Sequence, residues 1–286
     1  MSKMFVCLGN VSNFDASLEY AKEHSYNVEV ATFVMPSFIN PNCHEIFKAH
    51  HVSQLDTYYP STRELVEKLH GFKGAISVHG ACIDLLIHSE DPKVNEFNAQ
   101  RIFQGVETAR ELKAKHIVFH GNFKPVSFHD HSKLNWIERS TIFWSELLEK
   151  YPSTVVVLEN TLDRTPEMLR TLLDEVNSPR LGVCLDVGHM NLSSKVPVEE
   201  WIAVLGKDIR SIHVHDNKGD FDSHSAIGKG TINWQEFSGL IAKYQIDPDI
   251  VFEVKTFEAT IQSLKYFREE NICPWNTFAG NSKEGC

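Results

Sequence analysis

The chain has 286 residues, 42% hydrophobic and 23% charged, with 28 basic against 38 acidic side chains and a formal net charge of −10. That composition supports a sizeable buried core and excludes disorder along the whole length. The acidic balance speaks against electrostatic binding of nucleic acid or an anionic membrane, without excluding a local basic groove.

Six cysteines, at 7, 43, 82, 184, 273 and 286, form no CxxC pair. At least two lie in apolar runs, where cysteine behaves as a small hydrophobe, so all six are expected to be reduced in a cytoplasmic protein. No stretch approaches the roughly 18 apolar residues of a membrane span, and the N-terminal MSKMFVCLGN lacks the apolar segment of a signal peptide. Neither insertion nor export is expected.

Along the chain, short apolar runs recur eight times: MFVCL (4–8), VEVATFV (28–34), GAISVHG (74–80), HIVFHG (116–121), TVVVLEN (154–160), LGVCLDVG (181–188), IRSIHVHD (209–216) and DIVFEVK (249–255). Rich in Val, Ile and Phe, most are too apolar to have one face in water, the pattern of parallel strands covered on both sides.

Amphipathic segments alternate with them. Ser61 and Glu64 make a capping box. Residues 92–114 carry Val94, Phe97, Ile102, Val106 and Leu112 at helical spacing. Residues 166–176 follow Thr165, with Pro166 at the expected first helical position. The alternation predicts a single-domain (β/α)₈ TIM barrel over 1–275, with a doubly wound sheet as the alternative, and a mobile tail over 276–286.

In such a barrel, residues at the carboxyl ends of the strands converge on one cavity. His79, His120, Glu159, Asp186 with His189, His213 and Glu253 stand there, and Asp222 and His224 follow the seventh strand. Side chains two apart share a strand face, so Val157 lies beneath Glu159, Cys184 beneath Asp186 and Val251 beneath Glu253.

Taken singly, each of these residues has an ordinary structural explanation, a hydrogen-bonded histidine or a helix cap. Their joint placement is what argues for chemistry. A cluster of Glu159, Asp186 and Glu253 would repel itself without a cation, and a carboxylate–imidazole donor set suits Zn, Mn, Co or Mg. His215 shares a face with His213 and is either a further ligand or a substrate contact. His116 begins its strand, at the wrong end for catalysis. The Gly228-Lys229-Gly230 segment reads as a plain turn, since a lone GKG without a following Ser or Thr is a weak phosphate signal.

The segments LENT (158–161), LGVCLDVGHMNL (181–192), HVHDN (213–217), DSHSAIGKG (222–230) and FEVK (252–255) resemble the xylose isomerase-like barrel superfamily. That group holds sugar and sugar-phosphate isomerases and epimerases as well as the endonuclease IV class, AP endonuclease family 2. Resemblance to the epimerase branch implies one divalent ion held by Glu159, Asp186, His213 and Glu253. Glu159 and Glu253 would then transfer the proton through an ene-diolate, with His189, His215, Lys218 and Asn122 at the substrate.

Resemblance to the endonuclease branch implies three zinc ions. His79, His120 and Glu159 would hold the first; Glu159, Asp186, His213 and Glu253 the second; His189, Asp222 and His224 the third. LENT is followed by Leu162 and Asp163, and DVGH and HVHDN depart from the endonuclease motifs. The expected function is therefore a metal-dependent isomerase or epimerase of a small sugar or sugar phosphate, with one to three divalent ions per chain. The alternatives are a trinuclear-zinc phosphodiesterase and a barrel that only senses its ligand.

A homo-oligomer is left open. Substrate selection is expected from the segments at about 40–70 and 122–135, the latter with Phe123, Phe128 and His129 and Trp136 beside it.

Overall fold

The computed structural model describes residues 4–9, 13–32, 62–82, 85–123 and 132–276. The strands are β1 (Met4–Cys7), β2 (Asn27–Val30), β3 (Ile76–His79), β4 (Ile117–His120), β5 (Val156–Glu159), β6 (Leu181–Asp186), β7 (Ile209–Val214) and β8 (Asp249–Phe252). They pair in parallel, in chain order, into a closed barrel. All eight apolar runs are strands, each shorter than the run that signals it.

Both faces of these strands are covered. Val28, Val30, Val78, Leu158, Val183 and Leu185 point outward into a continuous layer packed against the helices. Val118, Val157 and Cys184 form a separate apolar plug in the interior, one pleat below His120, Glu159 and Asp186. Closure of the barrel leaves no sheet edge, so every strand end at the carboxyl rim is available to carry a side chain into the mouth.

The helices that cover the barrel among the described residues are α1 (Phe14–Glu23), α2 (Thr62–Lys68), α3 (Pro92–Glu111), α4 (Ser132–Lys150), α5 (Glu167–Val176), α6 (Val187–Ser193), α7 (Val198–Leu205), α8 (Trp234–Lys243) and α9 (Phe257–Glu269). Asp91 caps α3 by accepting from Lys93 N, and Pro92 fills its first position. Helix α5 buries Leu169, Leu172 and Leu173 and ends at Asn177, whose left-handed backbone (φ 44, ψ 48) terminates it.

Several expectations shift. Pro166 caps α5 from just outside, and the first helical residue is Glu167. On α3, Ile102 and Val106 face the core but Val94 and Phe97 are exposed, and the Arg101 guanidinium lies over the Phe97 ring. Phe123 and Trp136 are buried edge-to-face against each other, with Trp136 Nε1 donating to Gly121 O, so they support the rim instead of lining a substrate cavity. Phe128, His129, Ser61 and the tail from 277 onward lie outside the described residues.

Cys7, Cys82 and Cys184 are free thiols, but Cys273 is disulfide-bonded, against the expectation of six reduced cysteines. The argument from apolar strands covered only the interior thiols, and Cys273 stands beyond the last helix. No helix among the described residues is long and apolar enough to cross a membrane.

Candidate metal centre

Strand register brings the predicted residues together. In the ladders His120 stands beside Glu159, and Asp186 beside His213, while Glu253 follows the last residue of β8. Asn160 ties two strand ends to each other: Asp186 N donates to its Oδ1 (2.8 Å) and its Nδ2 donates to Asp186 O (2.9 Å). Asp186 also caps α6 by accepting from His189 N, which fixes its carboxylate at the rim.

Five overlapping sets of donors result among the described residues, each with its ligand atoms within 4.8 Å of one another; two of them, His79 with His213 and Glu253 and Glu159 with Cys184 and His213, overlap the first two of the three groups described next. In the first, His79 Nε2 is 3.0 Å and His120 Nε2 3.7 Å from Glu159 Oε2. In the second, His213 Nδ1 is 3.0 Å from Glu253 Oε2, 3.5 Å from Glu159 Oε2 and 3.9 Å from Asp186 Oδ2. In the third, Asp222 Oδ2 lies 2.9 Å from His224 Nε2 and 3.3 Å from His189 Nε2. His215 joins this last group, with Nε2 3.1 Å from Asp186 Oδ1 and its ring stacked on His224 at 4.0 Å between centroids. Glu159 belongs to both of the first two groups.

Two features fit the groups to metal ions. Glu159 Oε1, Glu253 Oε2 and His213 Nδ1 are buried without an aligned hydrogen bond, although His213 Nδ1 and Glu253 Oε2 approach to 3.0 Å. Donors that converge without bonding to each other are placed to share a cation. Further, Nδ1 of three rings meets a backbone carbonyl: His79 with Gly80 O (2.9 Å), His189 with Asn160 O (3.0 Å) and His224 with Glu253 O (2.7 Å), although His189 Nδ1 is also 3.1 Å from Glu159 Oε1. A ring that donates at Nδ1 to a carbonyl presents an unprotonated Nε2 to an ion.

The electrostatics follow from the crowding. Burial alone would lower His79, but its bond to Glu159 and the surrounding carboxylates raise it to about 9. His224 is raised to about 9 against the same penalty, chiefly through Asp222. At His189 the carboxylates of Asp186, Asp222 and Glu159 outweigh burial, and at His213 the Cys184 sulfur followed by Glu253, Glu29 and Glu159 does so, raising both well above the ordinary imidazole value. His120, with no comparable bond, is lowered by burial to about 4. Glu159, Glu253 and Asp222 are all held below the usual carboxylate range by the imidazoles facing them, despite their burial.

The proposed substrate contacts are scattered. His189 and His215 are inside the cluster. Asn122 has a left-handed backbone (φ 54) and donates its amide to Leu85 O at 2.7 Å, bracing the neighbouring loop. Lys218 is exposed on the segment after β7. His116 sits at the opposite end of the barrel, 3.8 Å from Asp249 Oδ2.

The 228–230 segment is a packed turn, as expected. Asp216 accepts from Gly228 N (2.8 Å) and Ile232 N (3.3 Å), and a Cβ at Gly230 would collide with Asn217 O.

Sequence reasoning missed Glu29, Asn160, Asp163 and Asp216. Glu29, fully buried on β2, lies 3.1 Å from His213 Nε2. Asp163 is buried, accepts from Thr161 N and is pushed up to about 6 by burial. The signal for Glu29 is a lone acid inside the apolar run VEVATFV, mid-strand and so away from the rim.

Comparison with known proteins follows the same lines. Over 228 residues the chain is 29% identical to MJ1311 of Methanocaldococcus jannaschii, covering 74% of this chain and 76% of that protein. It is 30% identical to a probable endonuclease 4 of Akkermansia muciniphila over 173 residues, 54% of this chain and 61% of that protein, so this match spans less than two thirds of the relative. Among solved structures, a D-tagatose 3-epimerase-like protein superposes with TM-score 0.73 at 23% identity over 93% of this chain and 96% of the other. The TTHB071 protein of Thermus thermophilus, soaked with ZnCl2, superposes with TM-score 0.66 at 23% identity over 99% of each; both likenesses speak to the fold. The family model described as xylose isomerase-like TIM barrel matches residues 41–270, and the chain belongs to that family.

Proposed function

We propose that this chain is a divalent-metal enzyme holding three ions, which hydrolyses a phosphoester of a small polyhydroxy compound. The observation that carries this reading is that the donors extend beyond one ion's worth: two groups share Glu159, and a third, His189, His215, Asp222 and His224, stands beside them. A one-ion epimerase needs Glu159, Asp186, His213 and Glu253 alone. It leaves no role for His79, His120, Asp222 and His224, whose nitrogens and oxygens are nonetheless turned toward one another.

Ions bound there would supply Lewis-acid polarisation of a phosphoryl oxygen and a lowered pKa for water at neutral pH. The residues do the rest. Glu159 spans two groups and sets their spacing. Asp186 is held by Asn160 and by the start of α6, and so cannot swing away. His189, His215 and His224 close the third group against Asp222, at the side nearest the exposed 218–221 segment. The formal charge of −10 favours a small substrate over a long polyanion.

A second reading, the sugar or sugar-phosphate isomerase, is supported by the central group. Glu253, with 16% of its side chain exposed, is more open to substrate than the fully buried Glu159, Asp186 and His213. It can therefore accept a proton from carbon, with Glu159 on the strand across the mouth as its counterpart.

Metal content by plasma mass spectrometry, followed by two assays, separates these readings. About three ions, turnover of a sugar phosphate, and its loss in His120→Asn support the first; turnover of abasic-site DNA in place of a sugar phosphate overturns its small substrate. About one ion, with ketose-dependent solvent proton exchange abolished in Glu253→Gln and intact in His120→Asn, replaces it with the second.

A further inference from the structure

Three of the cluster's imidazoles turn Nδ1 to a backbone carbonyl. His213 has none. Its Nδ1 faces Glu253, Glu159 and Asp186, and its Nε2 faces down the barrel axis to Glu29 Oε1 at 3.1 Å. Both Glu29 and His213 are completely buried.

Glu29 is placed by its neighbours. In the β2–β3 ladder it stands beside Ser77, whose hydroxyl donates to Glu29 Oε2 at 2.8 Å. Ser77 in turn lies two residues before His79, on the same inward face. Glu29 and Ser77, with Ser211 of β7 beside Cys184, therefore form a polar patch under the metal groups, next to the apolar Val118, Val157 and Cys184.

A carboxylate buried without a counter-charge is costly. Among the hydrogen bonds and ion pairs of Glu29, the partners are Ser77 and His213. A structural role alone would be met equally well by an apolar side chain continuing the cluster of Val118, Val157 and Cys184.

We infer that Glu29 is a positioning residue for the central metal group: it holds the Nε2–H of His213 toward itself, so that Nδ1 presents its lone pair to an ion shared with Glu159, Asp186 and Glu253. This rests on the reading that the central group binds a divalent ion. The negative charge of Glu29 also makes the ring a stronger donor, as carboxylate partners of ligating histidines do. Ser77 fixes the carboxylate so that the oxygen facing His213 cannot rotate away.

The test uses Glu29→Gln, which keeps the shape and removes the charge, and Ser77→Ala, which keeps the charge and frees the carboxylate. Zinc affinity is measured by chelator competition. The ring N–H proton of His213 is followed in the zinc-loaded, ¹⁵N-histidine-labelled protein. Glu29→Gln is expected to weaken zinc binding by roughly 10- to 100-fold and to shift that resonance or expose it to exchange. Ser77→Ala is expected to weaken binding by about fivefold.

Zinc affinity within about twofold of wild type in Glu29→Gln, with the His213 resonance unmoved, overturns the inference. If Glu29→Gln does not fold, unchanged affinity in Ser77→Ala overturns it instead. Failure of the wild-type protein to bind any divalent ion would defeat the metal reading itself, a result distinct from either.

Discussion

Loading this cluster with zinc must expel protons, and their number reports how many groups the ions fill. A ligating imidazole has to be neutral. In the ion-free protein His79 and His224 are raised to about 9, so at pH 7.5 each is roughly 97% protonated. His189 and His213 are also raised above their usual value. His120, lowered to about 4, carries none.

Filling all three groups therefore discharges His79 and His224, about two protons per chain in addition to any released in the central group; filling only the central group leaves both of these charged. Ionisation of water at the ions adds roughly one in either case. Calorimetric titration of the ion-free protein with zinc at pH 7.5, in buffers of different ionisation enthalpy, gives the count from the slope of observed against buffer enthalpy. Repeating it at pH 10, where His79 and His224 are only about 10% protonated, should remove their share. Release near zero at pH 7.5, or release that does not fall between pH 7.5 and pH 10, would refute the assignment of charged imidazoles to the empty cluster.

Stability should follow the same groups. Because His79 and His224 have folded values raised to about 9, their contribution is fully present below the ordinary imidazole value of 6.5 and lost as pH rises through about 9. Thermal unfolding of the ion-free protein should show an alkaline loss that the zinc-loaded protein does not. At the rim, Gly188→Ala would drive a methyl into the buried His215 ring. It should cost the third group its ion while leaving the others, seen as about one fewer metal per chain. Asp216→Ala strands four donors, from Asn217 N, Gly228 N, Ile232 N and Trp234 Nε1. A loss of about 3–5 kcal/mol in urea unfolding is expected, and a loss under about 1 kcal/mol would mean that water replaces the carboxylate.

The barrel was legible because its strands are covered on both faces, which writes each one as an apolar run: β5 and β6 are buried at every position. The rim residues were legible for a related reason. A charged side chain at the end of such a run has nowhere to go except the mouth, so Glu159 ends VVLE and Asp186 ends LGVCLD. Aromatic residues near the rim misled, because Phe123 and Trp136 satisfy burial against each other and periodicity does not distinguish a packed rim from an open one. Cys273 misled because disulfide pairing cannot be deduced from cysteine spacing alone.

Glu29 was missed for an instructive reason. The rule that barrel chemistry sits at strand ends directs attention to one layer, but the orientation of that layer is set one pleat below. In VEV the glutamate alternates with valines that point outward into the helices, so it must point into the barrel, where an uncompensated carboxylate is expensive. A mid-strand acid on an inward face is therefore a stronger signal than an acid at a strand end, which has solvent as an alternative. The same logic covers Asn160 and Asp216: each is buried, and the side chain of each meets backbone groups of segments that carry ligands. What distinguishes such residues from ligands is the number of backbone N–H and C=O groups they satisfy, a property of the folded loops that strand-by-strand reading does not contain.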